Sequence, residues 1–147
     1  MTSRPLSYGW KVMLVLGILY ILSGLMYMAA IPMVFVPSFE TFTGQTWVKF
    51  SASSPRLADL YVMYLQWAGV IFLAVGAAVC SMSLRPYRKG ERWSWYSLLI
   101  VGIVPLIGTI SFDWRLGEMT GVGLGLIYLI LLVIALMLPA KIILSKK

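Results

Sequence analysis

The sequence predicts an all-α fold, an integral membrane four-helix bundle that forms one domain over residues 1–147. Four long stretches are apolar, and none carries Lys, Arg, Asp or Glu in its middle. Each reaches roughly the 20 residues that a helix needs to cross the bilayer core. Hydrophobic residues make up 61% of the chain, which argues against a separate soluble domain. The stretches are Val12–Phe35, Leu60–Leu84, Trp93–Phe112 and Met119–Ala140.

Turn and cap residues refine these stretches into helices. Pro32 and Pro37 bring the first helix to its end, and the pair Ser54 and Pro55 supplies a cap and a first helical residue for the second. Pro105 predicts a kink in the third helix, and we favour a static kink over a moving hinge because neighbouring helices compensate for the lost hydrogen bond. The expected helices cover residues 12–35, 57–84, 93–112 and 119–140, with an outer loop at 37–54.

The basic residues are distributed unevenly between the two sides of the predicted bundle. Nine of the 12 lie at the chain ends and in the second gap, against three in the outer gaps. The positive-inside bias therefore predicts that both termini are cytoplasmic, in a membrane that we take to be a prokaryotic plasma membrane. The net charge of +7 thus reports topology rather than nucleic-acid binding. Attraction of about 1 kcal/mol per cation to anionic lipid headgroups is expected for four residues of the second gap, Arg85, Arg88, Lys89 and Arg92.

The absence of histidine narrows the chemistry that the chain can perform. It excludes a His-ligated haem, a His-containing zinc site and a Ser-His-Asp or Cys-His catalytic pair. With a single cysteine, Cys80, the chain forms no intrachain disulfide. The carboxylates all fall at or outside the predicted membrane boundaries, which argues against an ion-coupled transporter. We therefore expect no metal, no cofactor and a non-catalytic role.

Small residues mark the faces through which the helices are expected to pack. Gly17 and Gly24 are seven residues apart on one face of the first helix, where they allow a close helix contact. Gly69, Gly76 and Cys80 make part of the second helix thin. Such a surface invites a neighbouring helix, either from this chain or from another copy.

Gln66 is the most deeply placed side chain of the predicted bundle that has both hydrogen-bond donors and acceptors. Because an unpaired polar group in hydrocarbon is costly, Gln66 is expected to point inward. We favour an interhelical hydrogen bond, worth about 1 kcal/mol, over an orienting contact to a small ligand. Under the ligand alternative, the residues expected around an outer-half pocket are Gln66, Asp59, Tyr20 and Tyr27, with Asp113 at its polar rim.

The outer loop at 37–54 is rich in aromatic residues that alternate with polar ones. Phe39, Phe42, Trp47 and Phe50 have the spacing of a segment that lies along the membrane interface, as a short amphipathic helix or an extended strip. We favour a connector that rests on lipid headgroups. The alternative is a lid over an outward-opening pocket.

The second gap and its flanks carry the densest local pattern of the chain. Four cations, Pro86 and Gly90 stand beside interfacial aromatic residues in the segment Arg85–Tyr96. In its Arg-Lys-Gly-Glu-Arg-Trp-Ser-Trp run and in its helix layout, the chain resembles small prokaryotic four-helix membrane proteins of the DoxX-like group. Relatives in that group are linked to quinone-dependent sulfur oxidation, so the resemblance implies a redox partner.

Two functional hypotheses follow from these features. The leading one is a small membrane subunit or scaffold that acts through helix–helix contacts with a second copy of itself or with a larger membrane complex. Small-residue faces and the missing catalytic groups favour it. The alternative is a binding protein or enzyme for a hydrophobic molecule, such as a quinone, a lipid or a sterol-like compound, in the outer-half pocket. A channel or carrier is least favoured, membrane lipids are the expected surroundings, and nucleic acid is not an expected partner.

Overall fold

The computed structural model of the chain describes residues 4–29 and 31–145. Helices account for 92% of it, and the described residues contain no strand. The predictions that involve residue 30, within the first expected helix, and the terminal Lys146 and Lys147 lie outside the described residues. The helices are α1 (Arg4–Ala29), α2 (Ile31–Thr43), α3 (Trp47–Ser53), α4 (Pro55–Met82), α5 (Arg92–Leu116) and α6 (Met119–Leu144), and a π-helical turn covers Ser83–Tyr87.

Four helices among the described residues, α1, α4, α5 and α6, are long and apolar enough to cross a membrane. The predictions of an all-helical fold and of four candidate spans are therefore confirmed. The short helices α2 and α3 occupy most of the region predicted as the outer loop 37–54. This segment was predicted to form a short amphipathic helix or an extended strip, and the structure has two short helices there. Pro37, which was expected to end a helix, is accommodated inside α2, and Thr46 caps α3 by accepting a hydrogen bond from the Lys49 amide.

The third span is longer than the apolar stretch that predicted it. α5 continues past Phe112 and ends at Gly117, whose φ of 74° lies in the left-handed region that glycine adopts readily. The Glu118 amide donates to the Asp113 carbonyl at 2.9 Å, and the Gly117 amide donates to the Trp114 carbonyl at 3.2 Å. This pair of hydrogen bonds is the Schellman pattern that closes a helix. Asp113 consequently belongs to the last turns of the helix rather than to a connecting loop.

The closest helix–helix contact joins α1 to α4 through glycines on both sides. A Cβ placed on Gly24 would lie 2.7 Å from the Gly69 carbonyl oxygen, and one placed on Gly76 would lie 2.8 Å from the Gly17 carbonyl oxygen. Backbones that approach this closely gain dispersion contacts along the whole interface. The predicted close contact through Gly17 and Gly24 is confirmed, and the helix that fills it comes from the same chain.

The other extensive contacts join α6 to α1 and to α5, whereas α4 and α5 touch only slightly. Gly102 of α5 receives the Leu132 side chain of α6, and Gly125 of α6 receives Ile110 of α5. The Tyr20 hydroxyl of α1 donates to the Gly102 carbonyl at 3.4 Å. Helices α1, α5 and α6 therefore share one core, and α4 is attached to that core mainly through α1.

Pro139 in α6 organises the end of the bundle at the π-helical turn. Proline has no amide hydrogen, so the carbonyl four residues earlier, that of Ala135, lacks its helical donor. The buried Tyr87 hydroxyl donates to this carbonyl at 2.6 Å, and the Trp95 indole donates to the next carbonyl, that of Leu136, at 2.9 Å. Tyr87 thus fastens the π-helical turn to α6, and Trp95 fastens the first turn of α5 to it.

The glycine contact between α1 and α4 predicts opposite effects for two identical substitutions. Gly24→Ala places a Cβ against backbone atoms of α4 and should lower the free energy of unfolding by about 1–3 kcal/mol. Gly123→Ala, at a helical glycine with nothing within 4 Å, should raise it by up to about 1 kcal/mol through helix propensity. Reversible unfolding in mixed micelles measures both, and equal effects of the two substitutions would contradict the proposed contact.

The Ala135 carbonyl, which lacks a helical donor because of Pro139, predicts that substitutions of Tyr87 and Pro139 have non-additive effects on the free energy of unfolding. Tyr87→Phe should cost about 1–3 kcal/mol, since it leaves the buried Ala135 carbonyl without a donor. In a Pro139→Ala background the restored amide can pair with that carbonyl, so the same change should cost clearly less. The exposed Tyr96, whose hydroxyl has no hydrogen bond within the described residues, supplies the control Tyr96→Phe. Additive losses in the double mutant would argue against this role of Tyr87.

Candidate functional site: a lateral groove between α4 and α5

A groove opens at one end of the bundle, where α4 and α5 separate. Its volume is about 680 Å³, within the roughly 300–1,000 Å³ range of small-molecule sites. The groove is open towards the side of the bundle and is walled almost entirely by apolar atoms. Because α4 follows α1 closely and touches α5 only slightly, the space between the two consecutive spans is left unfilled.

One wall of the groove is a face of α4, and the other is the last part of α5. The α4 residues recur every three or four positions, which places them on one face of a helix. At a rise of about 1.5 Å per residue, the stretch from Leu57 to Phe72 is about 22 Å long. The α4 residues are Leu57, Leu60, Tyr61, Tyr64, Leu65, Ala68 and Phe72, and the α5 residues are Gly108, Thr109, Phe112 and Asp113.

Asp113 is the only charged side chain that lines the groove within the described residues. It is 8% exposed. No described group donates a hydrogen bond to its carboxylate, although Gly121 of α6 lies directly against it. The carboxylate also borders two smaller cavities on the α6 side of the bundle. The expectation that Asp113 belongs to an outer rim was therefore wrong, because the helix extends past it and turns it into the protein.

Tyr27 of α1 lies behind the groove and borders the same three cavities as Asp113. Its ring stacks on Phe72 with 5.6 Å between centroids, which fixes the position of the ring. No hydrogen bond of the Tyr27 hydroxyl is found within the described residues. The nearby Thr109 hydroxyl is already used, since it donates to the Pro105 carbonyl at 2.9 Å. Tyr27 and Asp113 thus supply polar groups to an otherwise apolar space.

An aromatic cluster of α2, α3 and α4 forms the rim of the groove. Phe39 is buried and packs edge-on against Trp47, with ring centroids 5.1 Å apart. Tyr61 touches both rings, and Phe50 reaches from α3 into the groove lining. The Glu40 carboxylate accepts a hydrogen bond from the Trp47 amide at 2.9 Å, which ties α2 to the start of α3. The helical pair α2–α3 is therefore packed onto α4.

Gln66 does not point inward, contrary to the expectation from the sequence. It is exposed on the outer surface of α4, and within the described residues its side chain makes no hydrogen bond. Asp59 is likewise exposed and does not line the groove. Gln66 lies three residues before Gly69, which places it about 60° around the helix axis from this glycine. Gly69 and Gly76 face α1, and the flank that carries Gln66 is left uncovered.

Tyr20, the remaining residue of the expected pocket, lies in the core rather than in the groove. It is fully buried, and its hydroxyl donates to a carbonyl of α5. Its ring meets the Tyr128 ring edge-on at 5.5 Å and stacks against Phe72 at 6.0 Å. Of the residues expected around a pocket, the structure thus brings Tyr27 and Asp113 together and separates Tyr20, Asp59 and Gln66 from them.

The basic residues of the second gap surround the turn between α4 and α5. Arg85, Arg88, Lys89 and Arg92 are all exposed. The Arg88 guanidinium lies 5.0 Å from the centroid of the Trp10 ring, a cation–π contact between this turn and α1. Their contact with anionic lipid headgroups stays a prediction.

Several groove residues were missed by the sequence analysis, among them Tyr64, Phe112 and Gly108. The three-or-four-residue spacing of the α4 residues indicates a continuous helix face, but nothing in that spacing tells a free face from a packed one. No protein-family model matches the chain, and neither the comparison with curated proteins nor that with solved structures gave a match. The resemblance to the DoxX-like group therefore stays a prediction, and the proposed function rests on the groove.

Proposed function

We propose that this multi-pass membrane protein binds a hydrophobic small molecule, such as a quinone, a lipid or a sterol-like compound, in the groove between α4 and α5. The observation that carries the proposal is an apolar space of about 680 Å³ in which Asp113 is the one charged side chain that the described residues contribute. Ligand sites are typically apolar pockets in which a few polar groups fix orientation. A lateral opening suits a ligand that arrives from the lipid phase.

The use of the glycine faces favours this function over a purely structural one. The scaffold hypothesis relied on small-residue surfaces left for a partner. Gly17 and Gly24 pack against α4, and Gly125 packs against α5, so these surfaces are occupied within the chain. By contrast, Gly108 has nothing within 4 Å and lies open in the groove wall.

The proposal includes an orientation in the membrane. The four spans run antiparallel to their neighbours in the chain, and both termini lie in the cytoplasm of a prokaryotic cell. The basic turn around Arg88 then faces the cytoplasmic leaflet, whereas α2, α3 and the groove lie in the outer half of the bilayer. The ligand accordingly comes from the outer leaflet.

Filling the groove should abolish ligand binding. A Cβ at Gly108 meets nothing within 4 Å, so Gly108→Phe should place its ring in the groove, and the folded protein should lose the bound molecule. Gly123→Phe makes the same change at another open glycine, outside the groove lining, and should retain it. Native mass spectrometry of protein released gently from its own membrane measures the outcome. Wild-type protein without a stoichiometric apolar molecule, or equal occupancy in both variants, would contradict the proposal.

A second function, association with another copy of the chain, is favoured by the exposed Gln66. An amide on an apolar, membrane-facing surface of α4 lacks a hydrogen-bond partner, which is costly in hydrocarbon. Its neighbours Met63, Trp67 and Val70 are exposed and apolar. Two such faces in contact would pair their amides and cover this surface.

Replacing Gln66 separates this second function from the first. Gln66→Leu removes the amide and should weaken dimerisation by about fivefold, the equivalent of roughly 1 kcal/mol, while leaving ligand occupancy unchanged. Thr120→Val, an exposed polar-to-apolar change on α6, is the control and should affect neither quantity. Fluorescence energy transfer between labelled copies in lipid vesicles reports dimerisation. A monomeric wild-type protein would overturn association, whereas loss of ligand in Gln66→Leu would place Gln66 in the ligand site.

A further inference from the structure

We propose that the molecule held in the groove is a single-chain amphiphile with an ammonium head group, which binds Asp113 while its alkyl chain lies between α4 and α5. This inference rests on the proposed function and specifies the chemical class of its ligand. It follows from the burial of Asp113, the lack of a partner for its carboxylate, the shape of the space around it and the position of Asp113 in α5.

In the structure, no described residue donates a hydrogen bond to the Asp113 carboxylate. Its side chain is more than nine-tenths buried, yet no described donor reaches it. The nearest basic residue in sequence, Arg115, is exposed, and a spacing of two residues directs it to a different face of the helix. The carboxylate oxygens are open to the cavities that they border, since no fully buried side-chain oxygen or nitrogen of the described residues lacks a hydrogen-bond partner. A donor that enters one of these cavities can therefore reach the carboxylate and stabilise it.

Charge and coordination favour an organic cation over the other partners of a carboxylate. An anionic head group, such as a phosphate or a second carboxylate, would be repelled. A metal ion needs several ligands, and the described residues contain no group of three acidic or cysteine side chains that could hold one. An ammonium group can donate to the Asp113 carboxylate and also to the Tyr27 hydroxyl, which lines the same space.

The backbone around Asp113 also favours a positive charge. Asp113 lies in the last turns of α5, where the helix dipole places partial negative charge and stabilises cations. Gly121 of α6 leaves room for the carboxylate, because a Cβ at that position would strike the Asp113 side chain. Asp113 thus borders both the space shared by α1, α5 and α6 and the groove itself.

The shape of the groove suits one alkyl chain. The apolar wall of α4 extends over about 22 Å from Leu57 to Phe72, and Asp113 lies beside it on α5. A ligand with its head at Asp113 therefore has apolar side chains along its tail and a side opening to the lipid phase. Thr109, whose hydroxyl is already bonded to the Pro105 carbonyl, does not compete for the head group.

Three probes with the same alkyl chain test the head-group preference: dodecylamine, dodecanol and dodecanoate. Each is titrated against the purified full-length protein, and the bound fraction is counted by native mass spectrometry. Wild-type protein should bind dodecylamine at least about tenfold more tightly than the other two, as expected for a charge-assisted hydrogen bond. Asp113→Asn, which keeps the side-chain volume, should abolish this preference, so that dodecylamine binds no more tightly than dodecanol. Asp113→Leu should do the same, and thermal unfolding verifies that both variants are folded.

The outcomes separate the failure of this inference from the failure of the proposed function. If dodecanol binds stoichiometrically and is displaced by Gly108→Phe, but dodecylamine shows no preference that depends on Asp113, the groove is a ligand site and the ammonium head group is wrong. Dodecanoate binding as tightly as dodecylamine would also overturn it. If none of the three probes binds saturably, or if Gly108→Phe has no effect on any of them, the groove itself is not a ligand site and both proposals fall.

Discussion

The close approach of α1 and α4 through glycine is the constraint on which the rest of the structure depends. With carbonyl oxygens of Gly17 and Gly69 facing glycines across the interface, no other rotation of α4 preserves the contact. That rotation exposes Gln66 and places the aromatic face of α4 towards α5 without filling the gap between them. A packing requirement on one side of a helix thus creates a groove on another side.

The sequence was sufficient for the fold class because the length and hydropathy of a membrane-crossing segment are properties of the chain itself. The contact through Gly17 and Gly24 was also predictable, since small residues seven positions apart on a span serve few other purposes. The burial of Asp113 was not, because hydropathy ends the third span at Phe112 whereas the helix ends where Gly117 can adopt a positive φ. Hydropathy therefore predicts the position of the span but not the burial of Asp113.

The error at Gln66 has a different origin. The argument that a polar side chain turns inward treats one residue in isolation, whereas the orientation of a helix is decided by all of its faces together. In α4 the glycines face α1, and Gln66 lies on the flank beside them, which no other part of the described chain covers. Tyr20 illustrates the same point, because its hydroxyl serves the backbone of α5 at Gly102 and so stays within the core. A polar residue in a span therefore indicates that a hydrogen-bond partner is required, but it does not identify that partner.

The attachment of Tyr87 and Trp95 to the carbonyls of α6 makes the two ends of the bundle mechanically unequal. At the turn, α4 and α5 are joined by a short segment that is fastened to a third helix, whereas at the far end the groove lies between them and α2 contacts both. We therefore expect α4 and α5 to separate further at the end that holds the groove and not at the turn. A molecule in the groove would consequently exchange with the lipids of a single leaflet. The composition of that leaflet, and not of the opposite one, would then determine how much of the groove is occupied.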